Sequence, residues 1–274
     1  MLRILTSLFV ILLSTTGLAR AGGITADAIA PHRALYEIVL TSAKSGGQLS
    51  NLSGRMFFEW RRDCDAWTTD NRSILHYTYA DGTASRINSD FATREDLNGK
   101  NFDFSTRRVS DGSTLEEYRG HASNNKAVYT VPAGHVVNLP KGTMFPMQHT
   151  MEILDRMQRG DRYFSVPLFD GSDDKNPPEV SVFIGAPSKA PTPLYAARNV
   201  DQGLLASPAH RMHIAFFPTD DDSGDAADYE MDMIAHNNGV VSDIDIVYDN
   251  FSVKQRLVAL EKLERPASCS KKAN

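Results

Sequence analysis

Gly54-Arg55-Met56-Phe57-Phe58-Glu59-Trp60, running on toward Cys64, reads as a β-strand. Beyond Cys64 the stretch from Trp67 to Tyr79 collects Trp67, Leu75 and Tyr77 on one face, and Asp81-Gly82 makes the following turn. Upstream, Leu35-Tyr36-Glu37-Ile38-Val39-Leu40 is an earlier strand, ending near Ser45-Gly46-Gly47. Downstream, Phe91, Phe102 and Phe104 mark strands around Asn98-Gly99, and Asp111-Gly112 separates them from a segment with Leu115 and Tyr118. Lys126 to Val131, Arg162 to Phe169, Glu179 to Ile184, Arg211 to Phe217, Tyr229 to Ala235 and Val241 to Tyr248 continue the series. Turn signals recur about every ten residues, so the chain is mainly β: a large antiparallel sheet, barrel or sandwich.

One segment breaks this pattern. Pro146 stands where the first turn of a helix tolerates proline, and Gly160 where a helix commonly stops. Between them Met147, Met151, Leu154 and Met157 fall at i, i+4, i+7 and i+10, one apolar stripe. The stripe either packs on the sheet as core or lines a methionine-rich groove for an irregular apolar ligand. At the C-terminus, Val253, Leu257, Leu260 and Leu263 have helical spacing, while Phe251, Val253 and Leu257 fit one face of a strand. Local propensity alone favours the helix there.

The N-terminus reads as an export signal. Arg3 precedes an apolar run from Ile4 to Leu18, and Ala19-Arg20-Ala21 supplies the small-x-small cleavage pattern. Residues 1–21 are therefore expected to be removed, leaving 22–274 as a single β-rich domain. The run is about 15 residues, against the roughly 20 that span a bilayer, so the mature protein is expected not to cross the membrane. Removal of Arg3 and Arg20 leaves 27 basic against 34 acidic residues, a formal net charge of −7. No basic stripe with interleaved aromatics is present, which argues against a nucleic-acid partner. Asp220-Asp221-Asp222 with Asp225 and Asp228 reads as a solvated acidic loop.

Cys64 and Cys269 are the two cysteines of a chain bound for an oxidising compartment, and they read as one disulfide. Two free thiols or a reactive pair are the alternatives, although a redox pair is usually Cys-x-x-Cys. A bridge would close a loop of about 205 residues, worth roughly 5 kcal/mol as an upper figure in the chain-entropy view.

Signatures of catalysis are missing. There is no Gly-x-Ser-x-Gly elbow, phosphate-binding loop or His-Glu-x-x-His motif. His210 and His213 lie in strand-like sequence that would turn them to opposite faces. The acidic stretches 170–176 and 220–225 lack the glycine and terminal carboxylate of a calcium loop. His149 is expected to be structural. No enzyme activity, cofactor or metal is expected.

Across the mature chain a set of motifs resembles the EipB family of cell-envelope integrity proteins of alphaproteobacteria. It comprises Pro31-His32-Arg33-Ala34-Leu35-Tyr36, Gly54-Arg55-Met56 leading to Cys64, and Leu139-Pro140-Lys141-Gly142-Thr143-Met144-Phe145-Pro146 with His149. Tyr248-Asp249-Asn250-Phe251 then leads through Leu260-Glu261-Lys262-Leu263 to Cys269. Lys254-Gln255-Arg256 departs from the pattern, standing where a glycine would be expected. The resemblance implies a periplasmic protein whose long antiparallel sheet curls into an open spiral or half-barrel around one principal helix, similar to the lipoprotein carriers LolA and LolB. It further implies a strand at the C-terminus, a Cys64–Cys269 disulfide and envelope homeostasis without known catalysis. It also suggests a periplasmic partner with tetratricopeptide repeats. Two functional classes follow: an interaction protein that acts through protein partners, or a carrier or sensor of an apolar ligand such as lipid or lipoprotein acyl chains.

Overall fold

The computed structural model describes residues 26–45, 48–123, 125–188, 199–219 and 226–266. The expected leader 1–21, the run 220–225 and Cys269 lie outside them. Among the described residues the chain forms one antiparallel sheet of fourteen strands with two α-helices. The first eight strands are β1 (His32–Ala43), β2 (Leu49–Arg62), β3 (Ala66–Tyr79), β4 (Ala84–Asp96), β5 (Asn101–Ser110), β6 (Ser113–Ser123), β7 (Lys126–Val131) and β8 (Val136–Asn138). Helix α1 (Pro146–Arg159) follows, then β9 (Tyr163–Pro167), β10 (Glu179–Ser188) and the short α2 (Gln202–Leu205). The chain closes with β11 (Ala209–Phe217), β12 (Tyr229–His236), β13 (Val241–Tyr248) and β14 (Phe251–Lys262).

Hairpins build the sheet outward from its middle. β1 to β8 march to one end, α1 carries the chain across, and β9 to β14 march back until β14 pairs with β1. The turn residues explain the tight connections. Asp111 and Gly112 both have positive φ, 48° and 88°, which suits the twist of a two-residue hairpin. Gly82 and Gly99 serve the neighbouring turns at φ 84° and 63°.

The sheet is not closed into a barrel. Its two ends meet through loops rather than a ladder of strands. The Tyr129 hydroxyl donates to the Asp173 carbonyl at 2.7 Å, Thr106 Oγ1 donates to the Gly171 carbonyl at 2.9 Å, and Met144 bridges Leu168. Phe102, Phe104, Tyr129, Phe145 and Phe169 fill the seam as one buried aromatic cluster. The result is a curled half-barrel wrapped on α1, as the family resemblance implied.

The C-terminal segment is a strand, against local propensity. β14 pairs with β1 on one side and β13 on the other. Its ladder shifts register between Leu257 and Ala259, where Val258 is an extra residue. That bulge keeps Leu257 and Leu260, three apart, both buried. A helix-like spacing was thus produced by a kinked strand. The expected strand at 162–169 is shorter than its apolar pattern, and β8 and α2 carried too little pattern to be read.

Candidate functional site

Helix α1 fixes what the concave face can offer. Phe145 at its N-cap supplies no side-chain hydrogen bond, so the first N–H groups need another acceptor. Glu95 of β4 provides it: Oε2 accepts from Met147 N at 2.7 Å and Oε1 from Gln148 N at 2.9 Å. Glu95 is buried, and that burial pushes its carboxyl up to about 7, with the two N–H groups pulling the other way. At the far end Gly160 is left-handed (φ 78°), and Gly160 and Asp161 donate to the Met157 and Arg156 carbonyls, a Schellman closure.

The four stripe residues separate in the fold. Met147, Leu154 and Met157 are buried, with Ile153, against Val180, Val182, Met212 and Ile214. Met151 is only partly buried and borders a shallow depression with Met144 and Gln148. At about 100° per residue, the buried arc runs from His149 through Met157 to Met147, which leaves Met151 at its rim. His149 itself packs 5.6 Å from the Phe164 ring, and its Nε2 has no hydrogen-bond partner. Burial holds its imidazole down at about 4, so it is neutral. The chemistry is that of a packing residue.

The open space lies beside the helix, on the half of the concave face floored by β1 to β5. A cavity of about 470 Å³ opens there. Its floor is a set of rows in register across strands. One row runs Leu257, Tyr36, Met56, Ser73, Ser89, Arg108. The next runs Gln255, Ile38, Gly54, Leu75, Ile87. Gly54 has no substitute in this row, because a Cβ there would strike the Ile74 carbonyl and Leu75. Gln255 is 8% exposed, and its Oε1 is buried with no hydrogen-bond partner. Arg108 is paired with Glu116 at 2.6 Å. Tyr77 and Tyr248 also line it; burial raises the pKa of both, and Arg108 opposes the rise.

Other sites of expected chemistry are disposed differently. His210 Nδ1 donates to the Gly185 carbonyl at 3.2 Å, whereas His213 faces Asp232 at 3.3 Å from the other side of β11. Among the described residues no group of three His, Cys, Asp or Glu side chains could hold a metal. No described helix is long and apolar enough to cross a membrane. A wider depression of about 590 Å³ between β1 and β14 is bordered by Arg33, which is already paired with Glu261 at 2.7 Å. Cys64 lies in the β2–β3 turn, and Cys269 lies outside the described residues. Glu95 and Gln255 were missed as site residues in sequence, because each acquires its role from partners far along the chain.

An open antiparallel half-barrel, wound on one helix and bearing a cavity on its concave face, defines the class: a mainly β fold built from one curled sheet. The chain belongs to the EipB-like family, whose model matches residues 24–264. It is 27% identical to the cell envelope integrity protein EipB of Brucella abortus (strain 2308), over 88% of this chain and 87% of that one. It is also similar to the crystal structure of a beta-barrel-like protein of a domain of unknown function from Brucella abortus. That match has a TM-score of 0.80 at 25% identity and covers 86% of this chain and 99% of the other.

Proposed function

We propose that this protein maintains cell-envelope integrity from the periplasm, without catalysing a reaction, by engaging a protein partner. The name of the Brucella relative supports the envelope role, and the leader-like residues 1–21 support export. The observation that carries the partner reading is at the two ends of the sheet. Tyr163 and Phe183, each 50% exposed, lie side by side on β9 and β10 with ring centroids 4.7 Å apart. At the opposite end Val128 and Val136, directly paired on β7 and β8, are exposed as well. Apolar pairs beside sheet edges are the surfaces on which a second chain docks. A tetratricopeptide-repeat protein is the partner the family resemblance implies.

A disulfide between Cys64 and Cys269 belongs to the same proposal. Arg265 Nη2 donates to the Asp27 and Ile29 carbonyls at 2.6 and 3.0 Å, and Asp27 also faces Arg62 at 3.8 Å. Asp27 thus links the Arg265 side chain to Arg62, two residues before Cys64. The four further residues to Cys269 can span roughly 13 Å, a reach that supports the pairing.

The test is photo-crosslinking in living cells from position 183. One protein captured by the wild-type surface, and lost with the second-site change Tyr163→Asp, is the expected result. Capture that is indifferent to Tyr163→Asp would sink the partner reading. N-terminal sequencing of the periplasmic fraction should begin at Gly22. The second reading, an apolar-ligand carrier built on the α1 stripe, has Met151 as its remaining open surface; co-purified lipid in a native mass spectrum would favour it.

A further inference from the structure

We infer that the cavity beside α1 is a binding site for an uncharged, hydroxyl-rich ligand, a short saccharide, gripped through Gln255. The inference stands apart from the partner reading, since it is read on the purified protein alone. At about 470 Å³ the cavity falls within the range that holds small molecules. Its chemistry selects among them.

An acyl chain fits poorly. It would cover Ile38, Met56, Leu75, Ile87 and Phe91, but it would also lie against Asn71, Ser73, Ser89 and Gln255, stripping water from amides and hydroxyls and returning no hydrogen bonds. An anion fits poorly too. Arg108, the one cation in the described wall, is already paired with Glu116, and Asp90 and Asp170 add two negative charges. What remains is a neutral molecule that both donates and accepts hydrogen bonds and also carries an apolar face.

Gln255 supplies the specific demand. Its Oε1 is buried without a donor, and buried polar groups are hydrogen-bonded in the great majority of cases. It projects from the central strand β14 into the row that contains Ile38, Leu75 and Ile87, where a packed core would carry an apolar residue. Gln255 also lines the cavity, so rotation of its amide brings the buried Oε1 to the cavity surface, where a ligand O–H completes it. Asn71, Ser73 and Ser89, on the facing strands β3 and β4, are placed to accept or donate to neighbouring hydroxyls. Tyr77 also lines the cavity, and an aromatic ring there covers the C–H side of a sugar ring while leaving its hydroxyls to the polar floor; the Tyr248 ring is already stacked on Phe251 at 4.7 Å. Selectivity follows from the same groups: a site built to hydrogen-bond a hydroxyl rejects an analogue that lacks it.

The mature protein is titrated separately with maltotriose, N,N′-diacetylchitobiose and palmitate, while the side-chain amide resonances of Gln255 and Asn71 are followed by NMR. Saturable shifts of both resonances with at least one sugar are expected. Gln255→Met should weaken that sugar about tenfold, the loss of one hydrogen-bonded acceptor, and at the same time raise the melting temperature by removing an orphan polar group. Ser73→Leu, which fills the floor from another strand, should abolish the shifts in a protein that still folds. Absence of saturable shifts with both sugars overturns the proposal, as does undiminished binding by Gln255→Met. Palmitate alone shifting the same resonances overturns it in favour of an apolar ligand.

Discussion

The concave face of this half-barrel is two surfaces made by the same strands. Followed from the α1 side toward the open side, the inward residues of β2 are Trp60, Phe58, Met56 and Gly54. Those of β3 are Trp67, Thr69, Asn71 and Ser73, and those of β5 are Phe102, Phe104, Thr106 and Arg108. On β2, β3 and β5 this series begins apolar and aromatic and turns smaller or polar as far as Gly54, Ser73 and Arg108, while Leu75 and Ile87 in the next row return apolar side chains to the cavity. Trp67 is 1% exposed and Phe102 is fully buried, whereas Ser73, Ser89 and Arg108 border free volume. Period-2 alternation decides which residues point inward; the change along the strand decides whether inward means core or cavity. The cluster against α1 is closed core, whereas the other half combines smaller buried clusters around Ile38 and Leu52 with free volume over β3 to β5.

The strongest test of that division is at the covered end. Cys64 lies in the turn between β2 and β3, the strands that carry Trp60 and Trp67. If it is bridged as proposed, Cys64→Ser should lower stability by roughly 2–5 kcal/mol. Denaturant midpoints that are unchanged with and without reductant would deny it a structural role. Within the helix-packed half, Leu154→Ala should cost about 3 kcal/mol through lost burial and a residual cavity. The equivalent truncation in the open half, Ile87→Ala, should cost about 1 kcal/mol, because Ile87 already borders space. Equal costs at the two positions would remove the distinction between the halves.

The pH dependence of the covered half divides between two groups with opposite signs. Glu95 titrates near 7 when folded and near 4.5 when unfolded, so the folded state holds more protons between those values and Glu95 makes stability fall as pH rises through that window. His149 titrates near 4 when folded and near 6.5 when unfolded, so the unfolded state holds more protons and stability rises from pH 4 to 6.5. Each contribution is roughly 3 kcal/mol, and they nearly cancel between 4.5 and 6.5. Glu95→Gln should unmask the His149 rise, and His149→Phe should unmask the Glu95 fall. Urea titrations at pH 4.5, 5.5, 6.5 and 7.5 that superimpose for all three proteins would contradict both assignments.

The smallest effect is expected at the rim. Met157→Trp overpacks the buried arc and should cost about 1–3 kcal/mol, while Met151→Trp, at a partly buried position, should cost under about 1 kcal/mol. A reversal of that order would place the helix on a different face.

Much of the fold was legible in sequence because its causes are local. Asp111-Gly112 dictates a two-residue turn, Pro146 and Gly160 bracket a helix, and alternating apolar residues mark strands such as Val241–Tyr248. The ends of α1 were readable for the same reason. Its buried arc was only partly so: Met147, Leu154 and Met157 are core, but Met151 is not, because the direction of approach of the sheet sets the arc and the heptad-like spacing does not. β14 shows the reverse case. Its leucines have helical spacing, and pairing on both edges with β1 and β13, together with a bulge at Val258, overrides the helix propensity that a lone segment would follow.

By itself, then, the sequence determined the antiparallel strand count in outline, the place and limits of the helix, and the family to which the chain belongs, since turns, caps and motif order act over a few residues. Tertiary structure alone decided that Glu95 caps a helix 52 residues away, that Gln255 faces inward with an unanswered oxygen, and that the two ends of the sheet meet at Tyr129 and Asp173 without pairing. These depend on how far the sheet curls. Curl is the sum of small twists over fourteen strands, a quantity that no single stretch of sequence encodes.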